Sequence, residues 1–193
     1  MAFILASESP RRLDLLQQIG RPPNLVLPAD VDETPYPNEI PRDLVVRLAA
    51  AKAMAVAEGH PSDVVLGADT VVACGRRILP KPMSETEAKQ FLTLLSGRRH
   101  RVYGGIAVIA NGVSRTKCIM TQVSFKRLSD VDLNTYMASE EWRGKAGAYA
   151  IQGRAGVFVK QINGSYSNIV GLCLHATETL LGHLLGPVPK SEV

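Results

Sequence analysis

Residues 3–16, FILASESPRRLDLL, set the beginning of the fold, because they read as a buried strand, a polar turn and the start of a helix. Ser9 is predicted to be the helix N-cap, since its hydroxyl can accept a hydrogen bond from a free backbone N–H. Pro10 suits the first helical position, where no N–H is required. Arg11 and Arg12 then place two cations at a helix end that already attracts anions. The stretch is compatible with a phosphate site and with a surface helix start bearing two solvated arginines.

Bulk composition predicts one α/β domain over residues 1–193, with a loose tail at 187–193. Hydrophobic residues make up 46% of the chain and charged residues 21%, as in an ordinary globular protein. The net charge of +4 favours anionic substrates but is too small to predict binding to a nucleic-acid polymer. No signal peptide or membrane-spanning apolar run is apparent, and the three cysteines are widely spaced. We therefore expect a cytoplasmic protein without a membrane partner.

Strand-like and helix-like stretches alternate along the chain, which is typical of an α/β fold. Strands are predicted at 24–28, 64–73, 99–110, 113–125 and 157–162, and helices at 41–58, 84–96, 129–139 and 172–185. Ser84 and Glu87 fit a capping box at one helix start. Asn111-Gly112 suits the tight turn of a hairpin. Residues 164–171 are predicted to form a polar turn.

Lys52 is the residue that fits its surroundings least well. At helical spacing it lies in the middle of an apolar face formed by Val45, Leu48, Ala49, Ala55 and Val56. A buried ammonium is costly unless an anion meets it. The alternative is that the side chain extends along the helix and its charge reaches water.

Other polar residues also suggest chemistry. Asp69 interrupts an apolar strand, where a carboxylate is a candidate general base, although a turn after Gly67-Ala68 would explain it too. Glu33 lies in an acidic loop and could supply a second carboxylate for Mg²⁺, or simply be solvated. Lys81 precedes Pro82 on a loop from which it could reach a phosphate. The amide of Gln152 could pair with the edge of a base.

Taken together, these segments resemble the Maf-like nucleoside triphosphate pyrophosphatases. The resemblance covers nearly the whole chain and is carried, in order, by residues 5–12, 32–33, 48–53, 67–72, 81–82, 96–100, 141–153 and 164–168. It implies an elongated mixed β-sheet with flanking helices and two lobes around a cleft, similar to the inosine triphosphatase fold. It also implies hydrolysis of a nucleoside triphosphate between the α and β phosphorus atoms, with Mg²⁺ or Mn²⁺ as cofactor.

The resemblance further implies roles for individual residues. Asp69 matches the family's general base, and Glu33 and Asp69 would hold the metal. Arg11, Thr70 and Gln152 match positions where the family's branches differ, and these residue types look like the branch acting on dTTP and UTP. The residues expected to bind phosphate, around the acid Asp69, are Ser7, Arg12, Lys52 and Lys81.

The sequence leaves two other functions open. One is a house-cleaning pyrophosphatase for modified purine nucleotides, which would use the same phosphate chemistry with another base pocket. The other is a non-enzymatic regulator of cell division, suggested by the family's association with septum formation. A homodimer is plausible by resemblance.

Overall fold

A computed structural model of the chain describes residues 1–186 and 188. It shows an α/β fold with a mixed seven-stranded sheet flanked by helices, so the predicted fold class is confirmed. The loose tail predicted for residues 187–193 lies outside the described residues except for Val188, which is 38% exposed. Within the described ranges, no helix is both long enough and apolar enough to cross a membrane.

The elements follow the predicted order closely. The strands are β1 (Phe3–Ala6), β2 (Leu25–Val26), β3 (Val64–Cys74), β4 (Arg77–Leu79), β5 (Arg99–Ala110), β6 (Val113–Phe125) and β7 (Val159–Asn163). The helices are α1 (Pro10–Gln18), α2 (Pro41–Ala57), α3 (Glu85–Leu95), α4 (Asp130–Ala138), α5 (Tyr166–Val170) and α6 (Leu174–Leu185). The strand order is β2-β1-β3-β5-β6-β7, and β4 pairs with β3. Strand β1 is parallel to both β2 and β3, whereas β4 and β7 are antiparallel to their partners.

The predicted hairpin turn is confirmed, because Asn111 and Gly112 have φ angles of 49° and 75° between β5 and β6. The polar turn predicted for residues 164–171 is wrong, since helix α5 occupies most of it. The Ser165 hydroxyl accepts a hydrogen bond from the Asn168 amide at 3.2 Å, as a helix cap does. Short polar residues favour turns and helix caps alike, and this explains the error.

The predicted cap of α3 is confirmed only in part. The Ser84 hydroxyl accepts the Glu87 amide at 3.1 Å, which makes Ser84 the N-cap. The Glu87 carboxylate, however, accepts the Met83 amide at 2.7 Å, one residue earlier than a capping box requires.

The chain forms two compact units. The first contains residues 1–69, 104–119 and 171–186 with 188, and the second contains 70–103 and 120–170. The single domain expected from composition stays a prediction.

In the first unit, helix α2 packs against the strands at unusually short distance. A Cβ added to Gly67 on β3 would lie 2.3 Å from the Ala49 carbonyl oxygen and 2.6 Å from the Ala53 backbone nitrogen. The absence of a side chain at Gly67 therefore permits the helix backbone to approach the strand. Lys52 follows the same face of α2 and is brought near the strand by this approach.

Replacing Gly67 with alanine should lower the free energy of unfolding by about 2 kcal/mol, because the added methyl group meets backbone atoms that cannot rotate away. Urea denaturation monitored by circular dichroism measures the change. Gly59→Ala is the matched control, since its Cβ would meet nothing closer than the Val56 carbonyl oxygen at 3.8 Å. Equal stability of the two variants would contradict the packing argument.

The second unit is built on an aromatic cluster. The His100 ring, 1% exposed, lies edge-on to Phe125 and Tyr149, with ring centroids 4.9 Å and 5.4 Å away. His100 Nε2 is 2.8 Å from the Tyr149 hydroxyl. Burial lowers the pKa of His100 to about 4, so the ring is neutral at physiological pH.

Candidate active site

Lys52 is buried, with only 8% of its surface exposed, and its ammonium is paired with two carboxylates. Lys52 Nζ donates to Asp69 Oδ1 at 2.7 Å and also forms an ion pair with Glu33 Oε1. Helix α2 supplies the lysine, β3 supplies Asp69, and the loop between β2 and α2 supplies Glu33. The charge of Lys52 is therefore met by anions of the protein itself, and the reading in which it extends into water is wrong.

Asp69 is buried as deeply as Lys52, with 8% exposure, and it stands where β3 leaves the first unit. Its hydrogen bond from Lys52 fixes the orientation of the carboxylate. Glu33 differs, because its side chain is 48% exposed and its loop has no regular structure over residues 27–36 in the described chain. The two carboxylates meet the same nitrogen although they come from separate elements.

Arg12 is another buried cation of the first unit. Its Nη1 donates to Ser7 Oγ at 2.8 Å and its Nε donates to the Gly171 carbonyl at 2.9 Å. Burial lowers the pKa of Arg12, and the charges of Asp69 and Glu33 act in the opposite direction. Arg12 thus lies in the electrostatic field of both carboxylates, and the alternative of a solvated side chain is wrong for it.

The start of α1 differs from the sequence prediction in one detail. Pro10 occupies the first turn as expected, but within the described structure the Ser9 side chain accepts no hydrogen bond from the helix. The Ser7 hydroxyl instead accepts the Ser9 amide at 3.2 Å, in addition to the guanidinium of Arg12. Arg11 is partly buried beside Arg12, and burial lowers its pKa. Ser7, not Ser9, is the serine that organises this turn.

The first unit consequently gathers three cations and two carboxylates, together with a serine hydroxyl. We call these residues the Lys52 cluster: Ser7, Arg11, Arg12, Glu33, Lys52 and Asp69. Buried cations next to a helix N-terminus attract a polyanion such as a triphosphate. The oriented carboxylate of Asp69 has the chemistry to take a proton from water.

A divalent ion fits the two carboxylates of this cluster. Glu33 and Asp69 already converge on one cationic group, Lys52 Nζ. Mg²⁺ is commonly held by one or two carboxylates while substrate phosphates and waters complete its coordination. Among the described residues, no group of three or more His, Cys, Asp or Glu side chains is placed to hold a metal by itself. Glu33 and Asp69 could therefore supply two of the ligands of a divalent ion.

The remaining predicted site residues belong to the second unit. Thr70 directly follows Asp69 on β3 and is partly buried, whereas Lys81 and Gln152 are exposed. Next to Lys81, the Pro80 carbonyl accepts the Gly147 amide at 3.2 Å, which fixes that loop.

Gln152 lies on a turn that is held from both sides. The Glu141 carboxylate accepts the Arg154 amide at 2.8 Å, and a Cβ at Gly153 would lie 2.1 Å from that carboxylate. Tyr149, three residues before Gln152, is anchored to His100 in the aromatic cluster. The turn thus presents the Gln152 amide from a fixed backbone.

Sequence reasoning missed one group next to the Lys52 cluster. Arg47 of α2 forms two hydrogen bonds to the Glu39 carboxylate, at 2.7 and 2.8 Å. The same guanidinium donates to the Thr34 carbonyl at 3.0 Å, directly after Glu33. No sequence signal marks this pair, because its partners lie on an irregular loop.

Comparisons with known proteins agree over nearly the whole chain. A family model described as Maf-like protein matches residues 2–184. A protein of Paramagnetospirillum magneticum named dTTP/UTP pyrophosphatase is 60% identical over 180 residues, which cover 93% of this chain and 95% of that protein. Proteins of the same name from Caulobacter vibrioides and Rhodospirillum rubrum are 54% and 55% identical. They are matched over 95% and 86% of their own lengths, and over 95% and 93% of this chain.

Proposed function

The chain belongs to the Maf-like protein family, and from this premise we propose that it hydrolyses nucleoside triphosphates to the monophosphate and pyrophosphate, with dTTP and UTP as preferred substrates. Relatives that are 54–60% identical carry the name dTTP/UTP pyrophosphatase and support this proposal. The observation that carries it is the Lys52 cluster, in which the buried Lys52 and Arg12 accompany an oriented carboxylate, Asp69.

In this proposal the triphosphate binds to cationic side chains. Arg12 and Lys52 offset charge on the phosphate oxygens, Ser7 donates its hydroxyl, and the exposed Lys81 adds a third cation. Glu33 and Asp69 would hold Mg²⁺ or Mn²⁺, which when bound neutralises phosphate charge.

Asp69 is the general base. A water oxygen forms a bond to the α phosphorus while the bond from this phosphorus to the oxygen of the α–β bridge breaks. Pyrophosphate leaves with the electron pair of the broken bond. The proton of the water passes to the Asp69 carboxylate. The hydrogen bond from Lys52 holds that carboxylate in one orientation, which supports in-line attack.

Base selection is assigned to Gln152, together with Arg11 and Thr70. A thymine or uracil ring offers two carbonyl acceptors and one N–H donor along its edge. A glutamine amide carries both a donor and an acceptor, so Gln152 can pair with that edge in either orientation. The fixed turn around Gln152 limits how far the amide can adapt to a purine.

Pyrophosphate release from UTP, dTTP, ITP and 7-methyl-GTP, measured with the purified protein and Mg²⁺, tests the proposal. We expect kcat/KM for UTP and dTTP to exceed that for the two purine nucleotides about 10²-fold, because a mispaired polar edge is costly. Faster hydrolysis of ITP would instead indicate a house-cleaning enzyme for modified purines. Absence of release from all four would overturn the enzymatic function and favour a regulatory one.

A further inference from the structure

The loop that carries Glu33 is attached to helix α2 by a second cation, Arg47. The Arg47 guanidinium bonds both oxygens of Glu39, donates to the Thr34 carbonyl and stacks over the Tyr36 ring, with Arg47 Cζ 4.0 Å from the ring centroid. The Tyr36 amide also donates to Glu39 Oε2 at 3.0 Å. We call Arg47, Glu39, Tyr36 and the Thr34 carbonyl the Arg47 clamp.

Within the clamp, the ion pair between Arg47 and Glu39 is largely enclosed, whereas Tyr36 and Thr34 are exposed. The Glu39 side chain is 8% exposed and that of Arg47 is 23% exposed. A bidentate pair between guanidinium and carboxylate has fixed geometry, in contrast to a lysine contact. The hydrogen bonds from Arg47 lower the pKa of Glu39, so both partners stay charged at neutral pH. The clamp therefore holds one arrangement of the loop.

Glu33 depends on this arrangement more than the other residues of the Lys52 cluster do. Its side chain is half exposed, so burial does not hold it in place. The Thr34 carbonyl that Arg47 binds belongs to the adjoining residue. Arg47 and Lys52 lie on the same helix, so α2 holds the loop backbone with one cation and the Glu33 carboxylate with the other.

We propose that Arg47 is a positioning residue, which holds the 33–39 loop on α2 and thereby keeps the Glu33 carboxylate at Lys52. The inference rests on the proposed function, because Glu33 is assigned there to the site of hydrolysis. In the described part of the chain, Arg47 itself forms no hydrogen bond or ion pair with Lys52 or Asp69. Its effect on turnover passes through Glu33.

A double-mutant cycle tests this inference, with kcat/KM for UTP measured well below the unfolding temperature. Arg47→Lys keeps the charge but loses the planar group that binds Glu39 and Thr34 together, so we expect kcat/KM to fall about tenfold. Glu33→Gln removes the charge that the clamp positions. In the Glu33→Gln background, Arg47→Lys should cost less than about twofold, because both changes act on one group. Additive effects would overturn the inference.

The control is a second arginine that, like Arg47, binds one carboxylate through two hydrogen bonds and also a backbone carbonyl. Arg21 forms two hydrogen bonds to Glu178 and donates to the Gly186 carbonyl, again in the first unit. Arg21→Lys should leave kcat/KM within about twofold of the unmodified chain, in both backgrounds. A tenfold loss in Arg21→Lys would show that any such pair affects turnover through stability, and would overturn the specific role of Arg47.

Hydrogen exchange gives a readout that does not depend on turnover. We expect the backbone amides of residues 33, 34 and 36 to exchange about tenfold faster in Arg47→Lys and at the original rate in Arg21→Lys. Unchanged exchange in Arg47→Lys would contradict the clamp. Failure of the proposed function looks different. Either the unmodified protein would release no pyrophosphate from UTP, or Glu33→Gln and Asp69→Asn would both retain its full turnover.

Discussion

Asp69→Asn should reduce turnover of UTP by about 10²–10⁴-fold, the range lost when a general base is removed. Asparagine has nearly the same shape as aspartate, and its side-chain oxygen can still accept the hydrogen bond from Lys52. The amide, however, cannot take a proton from the attacking water. The loss should therefore appear in kcat, measured as steady-state pyrophosphate release with Mg²⁺.

The control for this variant is Asp63→Asn. Asp63 lies just before β3 in the same unit, and its carboxylate accepts the Ala2 amide at 2.7 Å. Asp63 carries the same carboxylate as Asp69, but in the described part of the chain it forms no hydrogen bond or ion pair with the Lys52 cluster. We expect this variant to turn over UTP at nearly the original rate. Undiminished turnover in a folded Asp69→Asn protein would end the assignment of Asp69 as the base.

Acid should destabilise the protein through His100. The pKa of His100 is lowered by burial from 6.5 to about 4 in the folded state, while the unfolded chain keeps the ordinary value. Between pH 6.5 and pH 4, His100 binds a proton more readily in the unfolded chain than in the folded protein. The free energy of unfolding therefore decreases as pH falls from 6.5 towards 4, and the full decrease is about 3 kcal/mol.

His100→Gln isolates this contribution, because glutamine does not titrate and its amide can still bond the Tyr149 hydroxyl. Urea unfolding at a series of pH values should give a shallower acid limb for the variant than for the original protein. His183→Gln, which changes an exposed histidine on α6, should leave the acid limb unchanged. If the His100→Gln curve runs parallel to the original one, the titration of His100 does not contribute.

Local sequence patterns predict the structure where it depends on neighbouring residues. The strand, turn and helix of residues 3–18 follow from an apolar run and a proline at the helix start. The Asn111-Gly112 turn follows from two residues that tolerate positive φ. In each case the interactions that form the structure join residues only a few positions apart, so the local sequence is enough to predict them.

Side-chain partners were not readable in the same way. The sequence indicated that Lys52 sits on an apolar face and that Ser9 precedes a helix. The family resemblance placed Lys52 around Asp69, but the local pattern did not indicate a direct hydrogen bond between these two side chains, 17 residues apart. Nor did it indicate that Ser7 takes the bonding role expected of Ser9. Arg12 reaches the Gly171 carbonyl, 159 residues along the chain. Such pairs exist only after helices and strands have packed.

By itself the sequence determined the α/β pattern, the order of most elements and the presence of a charged residue on the apolar face of α2. Tertiary structure decided which anions meet that charge and which backbone holds the loop of Glu33. The reason is that hydrophobic periodicity is a local property, whereas the approach of α2 to β3 depends on Gly67 lying beneath Ala49 and Ala53. That close approach brings Lys52 within hydrogen-bonding distance of Asp69, and it exists only once the helix has packed on the strand.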